Sequence, residues 1–572
     1  MNRSRVRTAV VLSVFAVVFF TLEVTSYTQK SATWDEPQHV MAGYLALARR
    51  DYRTDPEHPP FLRMWAALPL LAIPGIKLNT SIIERTSPSD WVGLGQFVFC
   101  HQSMYRDNDA DRLLYAARFM IVALGVLLGM LVFCWVNEWL GFWPAIVTLA
   151  FYEIEPNIAA HSSLVTTDFA AACFIFATIY FVWRVCRQPS RANIAGLVAF
   201  FVLANISKFS ALILGPIVLV LLAVGLLRPR TLTLAKALGI VALLAVATWL
   251  AIWAVYGFRY APSRSEAWLF QLQNYPLVQQ RIPRMASLAA WIDTHHLLPN
   301  AYTQGFMLGQ AKAQTRAAFL AGNYSTDGWW YYFPAAFLIK TPAALVILLV
   351  SGLVVYATRW QQLGLKNEVF VVLPIVLYLG SAMVARLNIG LRHILPIYPF
   401  VLLLAAAAVK ELLDARQRGG WIVLGLLAAF WLFEFGRAYP SNLAFFNQFV
   451  GGPRNGYKYL ADSNLDWGQD LKPLKNWMAR NNVTHINLAY FGTADPSYYD
   501  IDCTYLPGTD FPGEGLVKPP QLPGYVAISA TVLEGVYLSD QGREFYKPLR
   551  EMVPIADIGH SIHVYWVERP WW

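Results

Sequence analysis

The sequence has 572 residues, of which 56% are apolar and only 14% are charged, and its mean hydropathy is +0.40. Soluble globular chains carry about 25% charged residues, so this composition excludes an ordinary soluble enzyme and predicts a polytopic membrane protein. The net charge of +9 is assigned to loop topology, because the basic residues fall in short loops between apolar runs. No nucleic-acid partner is therefore expected. The five cysteines have no metal-ligand spacing.

Eleven apolar segments are predicted to cross the membrane as helices. They lie at about 8–28, 112–134, 141–155, 165–186, 192–207, 209–227, 233–257, 332–357, 368–385, 393–409 and 420–437. The loops predicted inside carry about fourteen Lys and Arg, against about three in the short outer turns. This asymmetry predicts a multi-pass protein of the plasma (inner) membrane with a cytoplasmic N-terminus.

Two long outer loops interrupt the apolar pattern. The first, 29–111, contains two short amphipathic stretches at 38–52 and 61–73. Both are shorter than a membrane span, so they are predicted as interfacial helices that lie along the membrane. The second outer loop is 258–331.

The C-terminal region differs in pattern from the predicted transmembrane domain, residues 1–438. Residues 439–572 lack long apolar runs, and an odd number of spans leaves them outside the membrane. They are predicted to form a small α/β extracytoplasmic domain, since helical and alternating patterns both occur in them. The helix is predicted at 470–478 and the strands at 485–490, 525–528 and 563–567.

Two acidic clusters, each closed by proline, stand out in the first outer loop. Asp35 and Glu36 precede Pro37, and Glu57-His58 precedes a Pro-Pro pair. Carboxylates beside lipid are costly unless they are paired or used. Helix capping is one interpretation, and a helix N-terminus also keeps a carboxylate ionised, as a base requires. Binding of a divalent metal by Glu57 and His58 stays an open alternative, although two adjacent residues alone do not form a metal site. No other cofactor is expected.

Further polar residues fall at the predicted outer ends of the spans. Asp168 begins the fourth span, where capping is the alternative, and Lys208 occupies an outer turn, where snorkelling to headgroups is the alternative. Arg392-His393 begins the tenth span. Lys340 lies about two turns inside the eighth span and is expected to meet an anion, either a lipid phosphate or an acidic side chain.

On these residues the chain resembles the C-type (GT-C) membrane glycosyltransferases, over about residues 8–437. It is most similar to the bacterial relatives of the protein O-mannosyltransferases and of the lipid A aminoarabinose transferases. The resemblance rests on the order, spacing and common outer side of five short motifs. These are Asp35-Glu36-Pro37, Glu57-His58-Pro59-Pro60, Thr167-Asp168, Ser207-Lys208 and Arg392-His393 before Leu395-Pro396.

The resemblance implies a GT-C-like fold and a polyprenyl-phosphate-linked sugar as donor. It implies Asp35 as general base near the acceptor hydroxyl, with Glu57 shaping the site, sometimes with a metal. In the aminoarabinose enzymes a lysine follows the matching glutamate, whereas His58 before two prolines matches the mannosyltransferases. The sugar therefore stays open, as does the acceptor, which is a lipid, a glycan or a protein.

The chemistry of such a transfer assigns roles to the remaining candidates. A lipid phosphate is a good leaving group, so the need is to stabilise its charge, for which Lys208 and Arg392 are best suited. One carboxylate base and no protein nucleophile predict a single displacement with inversion. The candidate catalytic residues are Asp35, Glu36 and Asp168, and the candidate substrate-binding residues are Glu57, His58, Lys208, Lys340, Arg392 and His393.

Two other functions are compatible with a membrane protein that handles lipid-linked sugars. A transporter or flippase would place its charges at mid-depth and repeat broken helices in two halves, neither of which the sequence indicates. A polysaccharide polymerase or ligase of another fold is the second alternative. A non-catalytic scaffold or sensor with an outer C-terminal domain is a third alternative. Loss of sugar transfer on Asp35→Asn would separate the enzyme from the transporter.

Overall fold

The computed structural model describes residues 3–227, 232–265, 268–363, 367–414, 418–509 and 519–571. The predicted second outer loop and C-terminal domain therefore each contain a short stretch outside the described residues, 266–267 and 510–518. The described chain is mainly helical and carries a small sheet near its C-terminus. Both features confirm the predicted fold class.

The first half of the chain contains thirteen helices within the described residues. The first outer loop follows α1 (Arg3–Tyr27) and contains α2 (Glu36–Arg49), α3 (Phe61–Ala67), α4 (Ser81–Arg85), α5 (Pro88–Asp90) and α6 (Gln96–Tyr105). Then come α7 (Ala110–Trp139), α8 (Phe142–Glu153), α9 (Pro156–Ser162), α10 (Thr167–Arg187), α11 (Arg191–Asn205), α12 (Leu214–Leu226) and α13 (Leu234–Val255).

The second outer loop and the remaining apolar helices follow in chain order. The loop contains α14 (Pro276–Arg281), α15 (Pro283–Thr294), α16 (Asn300–Lys312), β1 (Ala318–Leu320) and β2 (Asn323–Ser325). The helices are α17 (Tyr332–Lys340), α18 (Ala343–Leu363), α19 (Val369–Val384), α20 (Tyr398–Asp414) and α21 (Arg418–Ala438). A 3₁₀ helix, Leu391–Ile397, leads directly into α20.

Each of the eleven predicted spans coincides with helix in the described residues. By length and composition seven helices there qualify as membrane spans, or eight if the bent pair α17–α18 is one span. That pair turns by 114° at residues 341–342, within the single span predicted at about 332–357. The other three predicted spans are α8, α11 and α19, of 12, 15 and 16 residues.

Two of the candidate spans form the centre of the bundle. The α10 helix and the segment formed by the 3₁₀ helix and α20 are the most enclosed of these spans. The buried residues of α10 are mostly apolar and lie on all of its faces, as is typical of a helix enclosed on every side. The two elements contact each other where α10 begins, so the residues at their ends are held by the best-packed part of the protein.

The amphipathic stretches predicted in the first outer loop are helical. Pro37 starts α2, since its fixed φ suits the first helical turn, and α2 ends at Arg50 in a left-handed conformation, φ 52°. Ten of the fourteen residues of α2 are buried, because α3, α6 and α7 pack around it. The helix that follows Asp35 is therefore part of the protein body.

The C-terminal region contains a five-stranded mixed sheet. Its elements are α22 (Leu471–Arg480), β3 (Ile486–Ala489), β4 (Cys503–Tyr505), β5 (Gly524–Ser529), α23 (Ala530–Leu533), α24 (Asp540–Glu551), β6 (Ala556–Ile558) and β7 (Ile562–Val567). The strand order is β4-β3-β5-β7-β6. Strand β3 is parallel to both neighbours, while β7 is antiparallel to β5 and β6. Three of these strands and α22 were predicted from alternation and helical spacing.

The second outer loop meets the first through a close backbone contact. A Cβ atom at Gly305 of α16 would lie 1.7 Å from the carbonyl oxygen of Pro56. Only glycine allows the helix to approach this loop so closely, and the loop carries Asp55, Glu57 and His58. At Gly309, one turn later, the nearest atom to a Cβ would be the Glu57 carbonyl oxygen at 3.7 Å, an ordinary contact.

We predict that Gly305→Ala destabilises the protein, whereas Gly309→Ala does not. The first change forces the backbone of the acidic loop away from α16, at a cost of about 1–3 kcal/mol, as overpacking does. The second change adds a methyl group where there is room and favours the helix slightly. Thermal unfolding in detergent would measure both. Equal unfolding temperatures for the two variants would contradict the contact.

Candidate active site

Four charged side chains from distant parts of the chain meet at the N-terminal end of α10. Lys208 pairs with Asp168, and Nη1 of Arg392 lies 3.3 Å from the other oxygen of that carboxylate. The same nitrogen lies 3.2 Å from the Asp35 carboxylate. The Asp35 side chain is 31% exposed, whereas that of Asp168 is 1% exposed. Asp35 is therefore the carboxylate of this cluster that a ligand can reach.

Local structure explains how each member is held. Asp168 lies in the first turn of α10, where the helix dipole favours a negative charge. Lys208 lies in extended backbone between α11 and the 3₁₀ turn Phe209–Ile213, and Arg392 belongs to the 3₁₀ helix before α20. Asp35 occupies the position before α2, but its side chain caps no amide there. Its carboxylate is left to Arg392 and to a ligand.

Glu36, the neighbour of Asp35, is fully buried. Its carboxylate accepts hydrogen bonds from the Arg118 guanidinium and from the amides of Thr33 and Val165, at 2.5 to 2.9 Å. Burial alone would raise the pKa of Glu36, but Arg118 and these amides lower it overall. Glu36 therefore fixes the start of α2 and, with it, the position of Asp35.

A second polar group lies in the loop that follows α2. The Asp55 carboxylate contacts Nδ1 of His39 at 2.7 Å and Nη1 of Arg63 at 3.0 Å. Burial would raise the pKa of Asp55, but the charges of His39 and Arg63 lower it. Burial would lower the pKa of His39, but Asp55 raises it. This group holds the loop in a fixed conformation behind the charged cluster.

Glu57 and His58, predicted as a pair, lie in two different environments. Glu57 is half-buried and forms an ion pair of 2.5 Å with Lys312 of α16. Burial lowers the pKa of His58 to about 3, so its ring is neutral at physiological pH. Among the described residues no three His, Cys, Asp or Glu side chains are grouped as metal ligands. The donor set around Glu57 and His58 therefore does not fit a metal ion.

Three histidines near Asp168 each have a buried ring nitrogen with no hydrogen-bond partner among the described residues. The atoms are Nδ1 of His58, Nδ1 of His161 and Nε2 of His393, and the charges of Asp168 and Lys208 act on all three rings. A buried polar atom without a partner is costly, so this arrangement suits a ligand with hydrogen-bonding oxygens. The sequence did not identify His161, because it lies in a short helix with no motif around it.

Lys340 differs from the sequence prediction. Its ammonium group is buried, and it donates to the carbonyl oxygens of Leu443, at 2.9 Å, and of Asn464. The ring of Phe446 lies 4.7 Å from it. Main-chain oxygens after α21 thus accept its hydrogen bonds, whereas the sequence predicted a lipid phosphate or an acidic side chain. Lys340 sits where α17 ends and ties the C-terminal region to the bend.

Part of the chain matches a known protein family. Residues 111–253 match the family model described as dolichyl-phosphate-mannose-protein mannosyltransferase. The predicted resemblance to the mannosyltransferases is confirmed over this part of the chain. The matched part of the chain includes Asp168, His161 and Lys208 but neither Asp35 nor Arg392. A search of curated proteins finds no match.

Two solved structures are similar to the chain over nearly its whole length. ArnT from Cupriavidus metallidurans bound to undecaprenyl phosphate is 12% identical, with a TM-score of 0.43 and 97% of each chain covered. The apo state of ArnT from the same organism is 13% identical, with a TM-score of 0.32 and 98% of each chain covered. At such TM-scores these two matches carry no argument about the site.

We predict that Glu36→Gln strongly destabilises the protein. The change leaves the Arg118 guanidinium buried without a countercharge, and breaking a buried pair costs roughly 3–5 kcal/mol. Thermal unfolding in detergent would measure it, with Glu84→Gln as the control. Glu84 also pairs with an arginine, but its side chain is 57% exposed, so little change is expected there. A Glu36 variant as stable as the control would refute the role of the pair.

We predict that acid destabilises the protein partly through His161. Burial lowers the pKa of His161 from 6.5 to about 3. Between these values the unfolded chain binds a proton that the folded chain does not. The stability present above pH 6.5 is therefore lost as pH falls, by on the order of 2 kcal/mol at pH 5.

His161→Gln should reduce the fall in unfolding temperature between pH 7 and pH 5. His295→Gln is the control, since His295 is exposed and its replacement should leave the pH dependence unchanged. Identical pH profiles for the parent and His161→Gln would show that the buried ring contributes nothing.

Proposed function

We propose that this protein transfers a sugar from a polyprenyl-phosphate-linked donor to an acceptor hydroxyl at the outer face of the membrane, with inversion. The observation that carries the proposal is the contact between partly exposed Asp35 and Arg392, which also reaches Asp168. A carboxylate open to a ligand thus contacts Arg392, and the second carboxylate bound by Arg392, Asp168, also pairs with Lys208. The GT-C family match over residues 111–253 supports the same reaction class.

The proposed reaction is a single displacement. Asp35 accepts the proton of the acceptor hydroxyl, and the hydroxyl oxygen forms the new bond to the anomeric carbon of the sugar. The bond from that carbon to the phosphate oxygen breaks, and the polyprenyl phosphate leaves with one more negative charge. Lys208 and Arg392 stabilise that charge, since preorganised cations act strongly in a water-poor site.

The charge balance of the cluster suits this step. Asp35 loses its negative charge as it takes the proton, while the leaving phosphate gains one. Arg392 contacts Asp35 directly, so its attraction can pass from the protonated carboxyl group to the phosphate without any large movement. The unpartnered nitrogens of His58, His161 and His393 are available to phosphate or sugar oxygens.

The orientation of the protein belongs to the same proposal. A cytoplasmic N-terminus in the inner membrane and an extracytoplasmic C-terminal domain, residues 439–572, would present the cluster to the outer leaflet. The polyprenyl tail would then stay in the bilayer while the sugar reaches Asp35. Glycans, lipids and proteins all offer a suitable acceptor hydroxyl.

We predict that Asp35→Asn lowers sugar transfer by about 10²- to 10⁴-fold, because it removes the general base. The assay is transfer from a panel of radiolabelled polyprenyl-phosphate sugars in purified membranes, with expression checked for each variant. Asp327→Asn is the matched control, since Asp327 is also paired with an arginine, Arg386 at 2.7 Å, but is 71% exposed. Transfer by Asp35→Asn at the parent rate would exclude Asp35 as the base. A parent that moves the lipid-linked sugar across vesicles without transferring it would favour a flippase.

A further inference from the structure

A short buried segment between α21 and α22 contacts the arginine of the charged cluster. We call residues 463–470 the clip. The Ser463 hydroxyl accepts a hydrogen bond from Nε of Arg392 at 3.1 Å. The Trp467 ring lies under the guanidinium group, with its centroid 4.2 Å from Cζ of Arg392. One face of the guanidinium group is thereby occupied, and its Nη1 edge is directed to Asp35 and Asp168.

The clip also holds the backbone that leads to Asp35. The amide of Trp34 donates to the carbonyl oxygen of Trp467 at 2.8 Å, and the amide of Ser31 donates to that of Gln469 at 2.9 Å. Lys30 and Asp470 form a buried ion pair of 2.6 Å. The same eight residues therefore contact both the proposed base segment and the proposed phosphate ligand.

The C-terminal sheet holds the clip in turn. The Asp466 carboxylate accepts the amide of Thr531 at 2.8 Å, at the start of α23 after β5. The Tyr490 hydroxyl, just after β3, donates to the carbonyl oxygen of Gly468 at 2.5 Å. Ser561, before β7, donates to Asp470 at 2.6 Å. Three parts of the sheet region thus fix the clip, and Asp466, Asp470 and Trp467 are buried.

We infer that the clip makes the C-terminal region part of the active site, and that Trp467 and Ser463 are positioning residues for Arg392. This inference rests on the proposed function. The clip sets the distance between Arg392 and Asp35, and Trp467 restricts a donor phosphate to the edge of the guanidinium group. The sheet region then supports catalysis through the clip, besides any contact it makes with an acceptor.

The experiment compares Trp467→Leu, Trp467→Phe and Ser463→Ala with Trp477→Leu. Trp477 lies in α22 and packs on Tyr525 of the sheet, so its replacement tests general damage to the C-terminal region. Losing the cation–π contact should raise KM for the lipid-linked donor by about 2- to 30-fold, while KM for the acceptor stays near the parent value. Trp467→Phe keeps an aromatic face against Arg392, so its KM for the donor should stay close to the parent value. Ser463→Ala should raise the donor KM less than Trp467→Leu.

Two measurements without turnover accompany the kinetics. Binding of undecaprenyl phosphate should weaken in Trp467→Leu and stay at the parent level in Trp477→Leu. Labelling of Arg392 by phenylglyoxal, followed by mass spectrometry, should be several-fold faster in Trp467→Leu, because Arg392 is only 12% exposed in the intact clip.

The outcomes separate the inference from the proposed function. A parent that neither binds undecaprenyl phosphate nor transfers sugar overturns the proposed function, and the labelling arm still tests the clip. The inference is overturned if phenylglyoxal labels Arg392 in Trp467→Leu at the same rate as in the parent. It is also overturned if Trp467→Leu and Trp477→Leu change the donor and acceptor KM values alike.

Discussion

Arg392 lies between two carboxylates, and this shared contact is the constraint on which the rest of the site depends. One nitrogen reaches both Asp35 and Asp168, and Lys208 adds a second cation to Asp168. Charges taken out of water are costly unless each meets its opposite in good geometry. Removing one member would leave its partners uncompensated, so Asp168, Lys208 and Arg392 can leave water only together, with Asp35 at the exposed side of the cluster.

The neighbours Asp35 and Glu36 have different roles, one open to a ligand and one structural. Both are carboxylates at the start of α2, and nothing in their chemical type separates them. Glu36 is enclosed by Arg118 and two amides, so its oxygens are occupied by the protein. Among the described residues Asp35 has one ion-pair partner, Arg392, and nearly a third of its side chain is exposed. The fixed residue holds the residue that is open to a ligand.

Hydropathy and charge in the sequence were sufficient to predict much of the fold and to identify the residues of the charged cluster. Each predicted apolar segment contains a helix, because burial of a run near span length leaves the chain few other options. Asp35, Asp168, Lys208 and Arg392 stood out because a charge beside a long apolar run needs a partner. Their common location follows from topology, which a sequence reveals through its loops.

Contacts between distant loops could not be read from the sequence in the same way. Ser463 meets Arg392 across 71 positions, and Asp470 meets Lys30 across 440. Neither pair has a periodic signature, since tertiary packing alone brings the residues together. The bend after Lys340 was missed for a related reason. Residues 332–357 read as one apolar run, and the carbonyl groups that bind Lys340 belong to backbone more than a hundred positions away.

The clip gives a physical reason for a folded region outside the membrane-embedded helices. Arg392 lies in a 3₁₀ helix, which is held by poorer hydrogen bonds than an α-helix, and a guanidinium group on a long side chain has many rotamers to lose. Membrane-embedded packing fixes the backbone of α20, and Asp168 of α10 contacts only one nitrogen of the guanidinium group, Nη1. A stacked tryptophan and a serine acceptor fix both the plane and the rotation of the guanidinium group. The proposed transfer moves one negative charge from Asp35 to a phosphate, and it requires that same plane because the edge of the guanidinium group must contact both groups in turn.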